Sequence, residues 1–399
     1  LKVLLISEIF PPSTGGSGRW FWEIYRRMPQ ESLVVAAGEH PRQDDFDRGH
    51  SFHLRRLPLT FSTWGTCNVR GCWNYVRAWR SLSQMVRKHQ VCRIHCGRLL
   101  PEGWIARLLH LTTGIPYISY VHGEDLSISS HSRELVWMVR RVLDRASFVI
   151  ANSRNTWSLL RDRWQVPEDR MRLLHPGVDV AYFVPAMRNA ETRNALGWGN
   201  RPVVLTVGRL QKRKGHDHLI QAIETVRKRL PDVLYSIVGD GEERPHLERL
   251  VDTLGLGRHV QFLGEVDDPT LAHCYQQCDL FVLPNREVDR DIEGFGMVLL
   301  EAQACGKPVL AGDSGGTAET MQIPATGRVV PCEEPTHLAQ AVLELLENAP
   351  LRAQMGEAGR RWVVDRFSWE SLSRQALELF VRENAWAPAS DGRERLVKN

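Results

Sequence analysis

Hydrophobic residues in this chain fall into short runs separated by longer amphipathic stretches. In the first half, Val3–Ile6, Leu33–Ala37, Ile115–Val121 and Ser147–Ala151 are apolar runs of strand length. Between them, Trp20–Met28, Asn74–Lys88 and Arg133–Arg145 repeat their apolar positions at helical spacing. Strands apolar along their whole length, alternating with helices, predict a parallel sheet covered on both faces. From Leu173 to Pro185 the alternation lapses, and Pro176, Gly177 and Pro185 predict a linker.

Beyond the linker the pattern restarts. Strands are predicted at Val203–Val207, Leu234–Val238, Val260–Leu263, Leu280–Leu283 and Val309–Ala311. Helices are predicted near His216–Arg229, Arg244–Leu254, Pro269–Gln276 and Gly296–Cys305, with another beginning near Thr317. At 399 residues the chain exceeds one ordinary core. It reads as an α/β protein of two Rossmann-like doubly wound domains facing across a cleft, 1–183 and 184–368. A last helix, about 369–385, is expected to pack back on the first domain. Ligands of such sheets bind beyond the carboxyl ends of the strands, so candidate chemistry belongs in the turns that follow them.

Composition narrows the class. With 43% hydrophobic and 25% charged residues the chain is globular, and no apolar run reaches the roughly 20 residues of a membrane span. No secretory segment precedes the first strand, and Leu1 suggests that leading residues are missing; a cytoplasmic location is expected. The cysteines show no CxxC pair, and Cys92/Cys96 and Cys274/Cys278, four apart, lack a matching set of further ligands. Reduced thiols are expected, and no metal. The net charge of +4 divides into +9 over residues 1–183 and −5 over the remainder, and nine of thirteen tryptophans lie in the basic part. Such asymmetry implies different partners for the two halves, nucleic acid not among them. Within 70–88, Trp73, Val76, Leu82, Met85 and Val86 can form one stripe, with Arg70, Arg77, Arg80, Arg87 and Lys88 mostly off it. The favoured reading is a helix covering the first sheet; the alternative is a helix lying in an anionic membrane surface.

Four segments could carry chemistry. In Glu293–Gly–Phe–Gly–Met–Val–Leu–Leu–Glu301 a Gly-x-Gly turn opens a helix, whose free N–H groups suit phosphate or sugar oxygens. Gly208–Arg209 through Lys214–Gly215 sets cations at a strand end, where they would neutralise a leaving diphosphate. Gly15–Gly16–Ser17–Gly18 permits close backbone approach but lacks a full dinucleotide fingerprint. His122, just past a strand and followed by Gly123, faces the cleft. Three of them have a plain structural alternative: a solvated helix face for Glu293–Glu301, a charged loop for Gly208–Gly215 and a core position for His122. The triplets Asp45–Phe–Asp47 and Asp289–Arg–Asp291 read as loop charges rather than a metal site.

Taken in order, these segments resemble glycosyltransferase family 4, of the GT-B fold. The run from Asp291 to Gly316 is similar to mannosyltransferases that use GDP-mannose to extend phosphatidylinositol mannosides, whereas the first half diverges, notably at Cys96–Pro101. The resemblance implies retaining hexosyl transfer without metal or other cofactor. It implies that Arg209 and Lys214 hold the donor diphosphate, and that Glu293 approaches the donor sugar. Gly294, Phe295, Gly296, Met297 and Val298 would present backbone to sugar and phosphate, and Glu301 would bind the ribose. Gly16 would close over the phosphates, Val266 would meet the base, and His122 would bond the transferred sugar. The implied partners are a GDP- or UDP-linked sugar, GDP-mannose favoured, and a glycan, lipid or lipid-linked acceptor; on the alternative reading of the 70–88 helix, a lipid acceptor would be met at the cytoplasmic membrane face. Two alternatives stand beside it: a UDP-sugar glucosyl or N-acetylglucosaminyl transferase with a soluble acceptor, and a non-catalytic nucleotide-sugar-binding protein.

Overall fold

The computed structural model describes residues 2–384 apart from Thr14 and Arg290. Two wholly parallel sheets organise it. The first contains β1 (Val3–Ser7), β2 (Leu33–Gly38), β3 (His53–Leu57), β4 (Arg93–Cys96), β5 (Tyr117–Val121), β6 (Val149–Ala151) and β7 (Met171–Leu173), in the order β3-β2-β1-β4-β5-β6-β7. The second contains β8 (Val203–Val207), β9 (Leu234–Val238), β10 (Val260–Gly264), β11 (Leu280–Leu283), β12 (Val309–Gly312) and β13 (Gly327–Val330), in the order β10-β9-β8-β11-β12-β13. The central strands β1, β5, β8 and β9 are buried at every position, as their unbroken apolar runs require. Strand order reverses between β1 and β4 and again between β8 and β11, and each reversal opens a crevice at the carboxyl ends.

The first domain is finished by the far end of the chain. Leu5, Val35, Ile118 and Ile150 share a core with Trp20 and Ile24 from one helix and with Trp369, Leu372, Ala376 and Phe380 from the helix Trp369–Asn384. A polar knot sits in this layer: Tyr25 Oη lies 2.6 Å from His95 Nδ1 and 3.2 Å from Tyr120 Oη. Burial lowers His95 to about 3, so the ring stays neutral beside Phe380. The chain thus crosses between domains twice, and the crossings touch: Val178 N donates to Phe367 O at 2.9 Å. A Cβ on Gly177 would stand 2.6 Å from that same carbonyl oxygen, so the contact needs a residue without one.

Several expectations change. The helix Val69–His89, capped by Asn68 accepting from Gly71 N at 2.6 Å, is the covering helix, but its buried face is Tyr75, Ala78, Leu82, Met85 and Val86. Trp73 is 60% exposed and leaves the expected stripe. The helix expected from Thr317 is one 3₁₀ turn, Thr317–Thr320. Strands β3, β4, β7 and β13 and the helices Pro335–Glu347 and Ala349–Phe367 were not foreseen. Among the described residues no helix is long and apolar enough to cross a membrane.

Trp369 is 1% exposed at the join between the returning helix and the first sheet. Trp369→Ala is expected to cost about 3–5 kcal/mol by emptying that space, measured by denaturant unfolding; a loss below about 1 kcal/mol would contradict the role given to this helix.

Candidate active site

After β8 the chain makes a 3₁₀ turn, Lys212–Lys214, and Gly215 in the left-handed region (φ 71°) starts the helix His216–Val226. The turn aims two cations at one carboxylate oxygen. Lys214 Nζ lies 2.5 Å and Arg213 Nη1 2.7 Å from Glu293 Oε2, while Arg213 Nε lies 3.2 Å from Asp291 Oδ2. Burial opposes the charge on Glu293, but the two cations outweigh it and hold the carboxyl at about 2. A carboxyl depressed in this way stabilises the fold above the ordinary glutamate range and loses that contribution as pH falls towards 2. Arg209, at the head of the turn, is exposed, and among the described residues its guanidinium has no hydrogen-bond or ion-pair partner. The structure therefore brings Lys214 to Glu293 and leaves Arg209 exposed and, among the described residues, unpaired at the head of the same turn. Arg213 and Asp291 were missed as site residues, and Asp291 is more than the loop charge expected of it. Asp45 does sit in an exposed pair with Arg48.

The turn after Glu293 serves the same crevice. Gly296 is left-handed (φ 89°) and begins the helix Met297–Ala304. Phe295 points inward, 3% exposed, with its ring 5.2 Å from His175, so it is the turn's backbone that faces the β8/β11 crevice. A Cβ on Gly294 would stand 2.5 Å from the His122 carbonyl oxygen, which marks where the two domains meet. A Cβ on Gly16 would stand 3.1 Å from Met297 Sδ, so the first-domain loop already lies against this helix start. Gly316 N donates to Glu293 O at 3.0 Å and supports the turn from below. Val298 and Val266 are half-buried, Val266 just past β10. One turn into the helix, Glu301 accepts from Tyr275 Oη at 2.6 Å, and burial raises its carboxyl to about 7.

Across the seam His122 follows β5. Its backbone N donates to Asp125 Oδ1 at 3.1 Å, and its Nε2 lies 2.7 Å from the Gly97 carbonyl. A carbonyl only accepts, so Nε2 carries the proton. Burial lowers the pKa and keeps the ring neutral, leaving Nδ1 as an acceptor for a hydroxyl. The rings of Trp20 and Phe21 pack edge-on at 5.6 and 5.9 Å. The seam is closed further along by Glu319, which accepts from Arg154 N at 2.7 Å and Asn155 N at 3.0 Å. Cys96, Cys274 and Cys278 are buried thiols, and Cys92 is half-buried.

Two doubly wound domains meeting crevice to crevice, cations and a helix start on one side and a neutral imidazole on the other, define a GT-B glycosyltransferase. HepE of Anabaena, solved with UDP, superposes with a TM-score of 0.81 over 96% of this chain and 100% of its own, at 21% identity. Sucrose-phosphate synthase of Thermosynechococcus elongatus gives 0.77 over 96% and 99%, at 24% identity. Such likeness concerns the fold. In sequence, residues 188–362 match the glycosyl transferases group 1 and residues 14–182 match glycosyltransferase family 4. The GDP-mannose-dependent alpha-(1-6)-phosphatidylinositol monomannoside mannosyltransferase of Mycolicibacterium smegmatis is 37% identical over 385 residues, 94% of this chain and 97% of the relative. That of Mycobacterium tuberculosis H37Rv is 30% identical over 396 residues, 96% and 99%. The chain belongs to this glycosyltransferase family and is a hexosyltransferase.

If Glu301 accepts the ribose hydroxyls, it does so as the carboxylate. With its carboxyl near 7, affinity for free GDP is expected to rise about tenfold between pH 6 and pH 8. Glu301→Gln should flatten that profile and raise KM more than it lowers kcat. An unchanged profile in the variant, read by calorimetry, would remove Glu301 from the nucleotide.

Proposed function

We propose that the protein transfers mannose from GDP-mannose, with retention of configuration and without metal, to the ring of an inositol-containing lipid. The observation that carries the reading is the convergence of Lys214 and Arg213 on Glu293 beside the glycine turn of the Met297–Ala304 helix. A donor diphosphate entering there would meet free backbone N–H groups and three cations, counting Arg209. The phosphate would draw Lys214 from Glu293, leaving Arg213 to keep that carboxylate charged against the sugar. His122 Nδ1 would accept from a hydroxyl of the same sugar. The donor and acceptor come from the relatives, which by name use GDP-mannose and act on phosphatidylinositol monomannoside. Retention follows from the family resemblance.

The acceptor class bears on where the enzyme works. On the outer face of the helix Val69–His89, Val69 is 89% and Trp73 60% exposed, beside the exposed Arg70, Arg77, Arg80, Arg87 and Lys88. An aromatic and several cations on one solvent face suit the boundary of an anionic membrane, where each basic residue contributes about 1 kcal/mol.

Kinetics, product analysis and vesicle binding test the reading. Arg209→Ala and Lys214→Ala should each lose about 3 kcal/mol of transition-state stabilisation, near a hundredfold in kcat/KM with GDP-mannose. A chelator should leave the wild-type rate unchanged, and NMR should show the product's anomeric configuration matching the donor's. Full turnover of Lys214→Ala, a rate restored only by Mg²⁺ or Mn²⁺, or preference for a UDP-sugar would each defeat the corresponding part. Co-sedimentation with vesicles should rise with anionic lipid, fall with salt, and weaken in Trp73→Ser. Pelleting indifferent to all three would favour a soluble acceptor.

A further inference from the structure

The first sheet has its own reversal of strand order, between β1 and β4, and two charged side chains stand at its mouth. Glu8 follows β1 and Arg98 lies just past β4. Arg98 Nη1 is 3.5 Å from Glu8 Oε2, and each side chain is 18% exposed. Two further carboxylates lie below, both engaged by backbone. Glu102, 1% exposed, accepts from Glu8 N at 2.8 Å and stays 3.9 Å from Arg98 Nε. Asp125 accepts from the N–H groups of His122 and Leu126. Glu8 and Arg98 are not spent in this way. Among the described residues the Arg98 guanidinium has these two ion pairs and no hydrogen bond of good geometry. A mostly buried guanidinium without hydrogen bonds is unfavourable by itself and favourable once a ligand supplies acceptors.

Position completes the case. Residue 97, immediately before Arg98, is the glycine whose carbonyl holds the His122 ring. The pair therefore lies beside the His122 ring, in the crevice where this sheet is built to take a ligand.

We propose that Glu8 and Arg98 form the acceptor subsite and clasp a vicinal diol on the acceptor's ring, the carboxylate accepting from the hydroxyls and the guanidinium donating to them. This rests on the glycosyltransferase reading of the chain. A phosphate is the wrong partner here. Glu8 and Glu124 act on Arg98 alongside Glu102 and Asp125, whose carboxyls burial raises (Glu102 to about 7), so its one positive charge is already shared among carboxyl groups and gains little from a further anion. On a phosphoinositide acceptor the phosphodiester lies away from this pair and the ring hydroxyls lie on it. Inositol and hexose rings both carry vicinal diols, and the test separates them.

The test is binding to the full-length protein loaded with GDP, by saturation-transfer NMR and titration. The probes are myo-inositol, methyl α-D-mannopyranoside and inorganic phosphate. One of the two rings should bind the wild type, which identifies the ring. Arg98→Met and Glu8→Gln should each weaken it about tenfold or more, with GDP affinity held within about twofold, and Arg98→Lys should restore part of the loss. Melting temperatures confirm that the variants fold. Ring binding that ignores both substitutions overturns the proposal, as does parallel loss of GDP, failure of both rings to bind, or Arg98-dependent displacement by phosphate. If GDP itself fails to bind the wild type, the donor reading falls, separately from this one.

Discussion

A carboxylate as buried as Glu293 is costly to keep charged unless cations of good geometry compensate it. Here two of them share a single oxygen, and much else is arranged around that contact. Lys214 and Arg213 come from the turn after β8, Glu293 from the segment after β11, and these are the two strands at which the sheet reverses. The ion pairs hold the segment in place, the bridge between Val288 and Asp291 tightens it, and the turn from Asp313 to Gly316 supports it from beneath. Only then does Gly294 meet His122 and the helix start reach the Gly16 loop. On the proposed reading the site is organised before substrate arrives, as electrostatic catalysis requires, and a donor's phosphates would take over a cation that already has a partner.

Local charge and overall charge point in opposite directions. The first domain carries the excess of basic residues, yet its crevice surrounds Arg98 with carboxylates. The second half is net acidic, yet its crevice gathers Arg209, Arg213 and Lys214. Much of the first domain's positive charge lies on outward faces such as that of the helix Val69–His89. Half-by-half sums describe what a surface attracts from a distance; they do not describe what a cleft binds.

Strands buried on both faces, such as Val3–Ser7 and Val203–Val207, were legible because nothing but apolar residues can fill them. Others were hidden for physical reasons. Edge strand β3 alternates exposed and half-buried positions in His–Leu–Arg–Arg before the buried Leu57, and β7 has only three residues. Thr317 was read as a helix start, but its hydroxyl bonds back to the Gly312 and Ser314 carbonyls and the chain turns away after one turn. In the helix Val69–His89 the spacing allowed more than one stripe, and the chosen one wrongly included Trp73 in place of Tyr75 and Ala78. In the site, the glycine turns and Lys214 could be placed at strand ends by spacing, whereas the roles of Glu293 and Glu301 came from the family resemblance, a pair of glutamates eight apart being common by chance. Arg213 was not, because within Lys212–Arg213–Lys214 no local pattern tells which side chains turn inward.

The returning helix has a consequence for how the polypeptide acquires its shape during synthesis. The second domain is one continuous stretch and can close its core as soon as it leaves the ribosome. The first is discontinuous: the layer containing Ile118, Tyr120 and Ile150 lacks Trp369, Leu372 and Phe380 until synthesis has passed through the whole second domain. Contacts spanning more than three hundred residues, such as Arg27 with Glu370, are among the slowest to find. The half made first is therefore the last to be completed, and until then it exposes an apolar face that invites wrong partners. Fragments ending before Trp369 would inherit that exposed face, so the natural experimental unit is the chain carried through the returning helix.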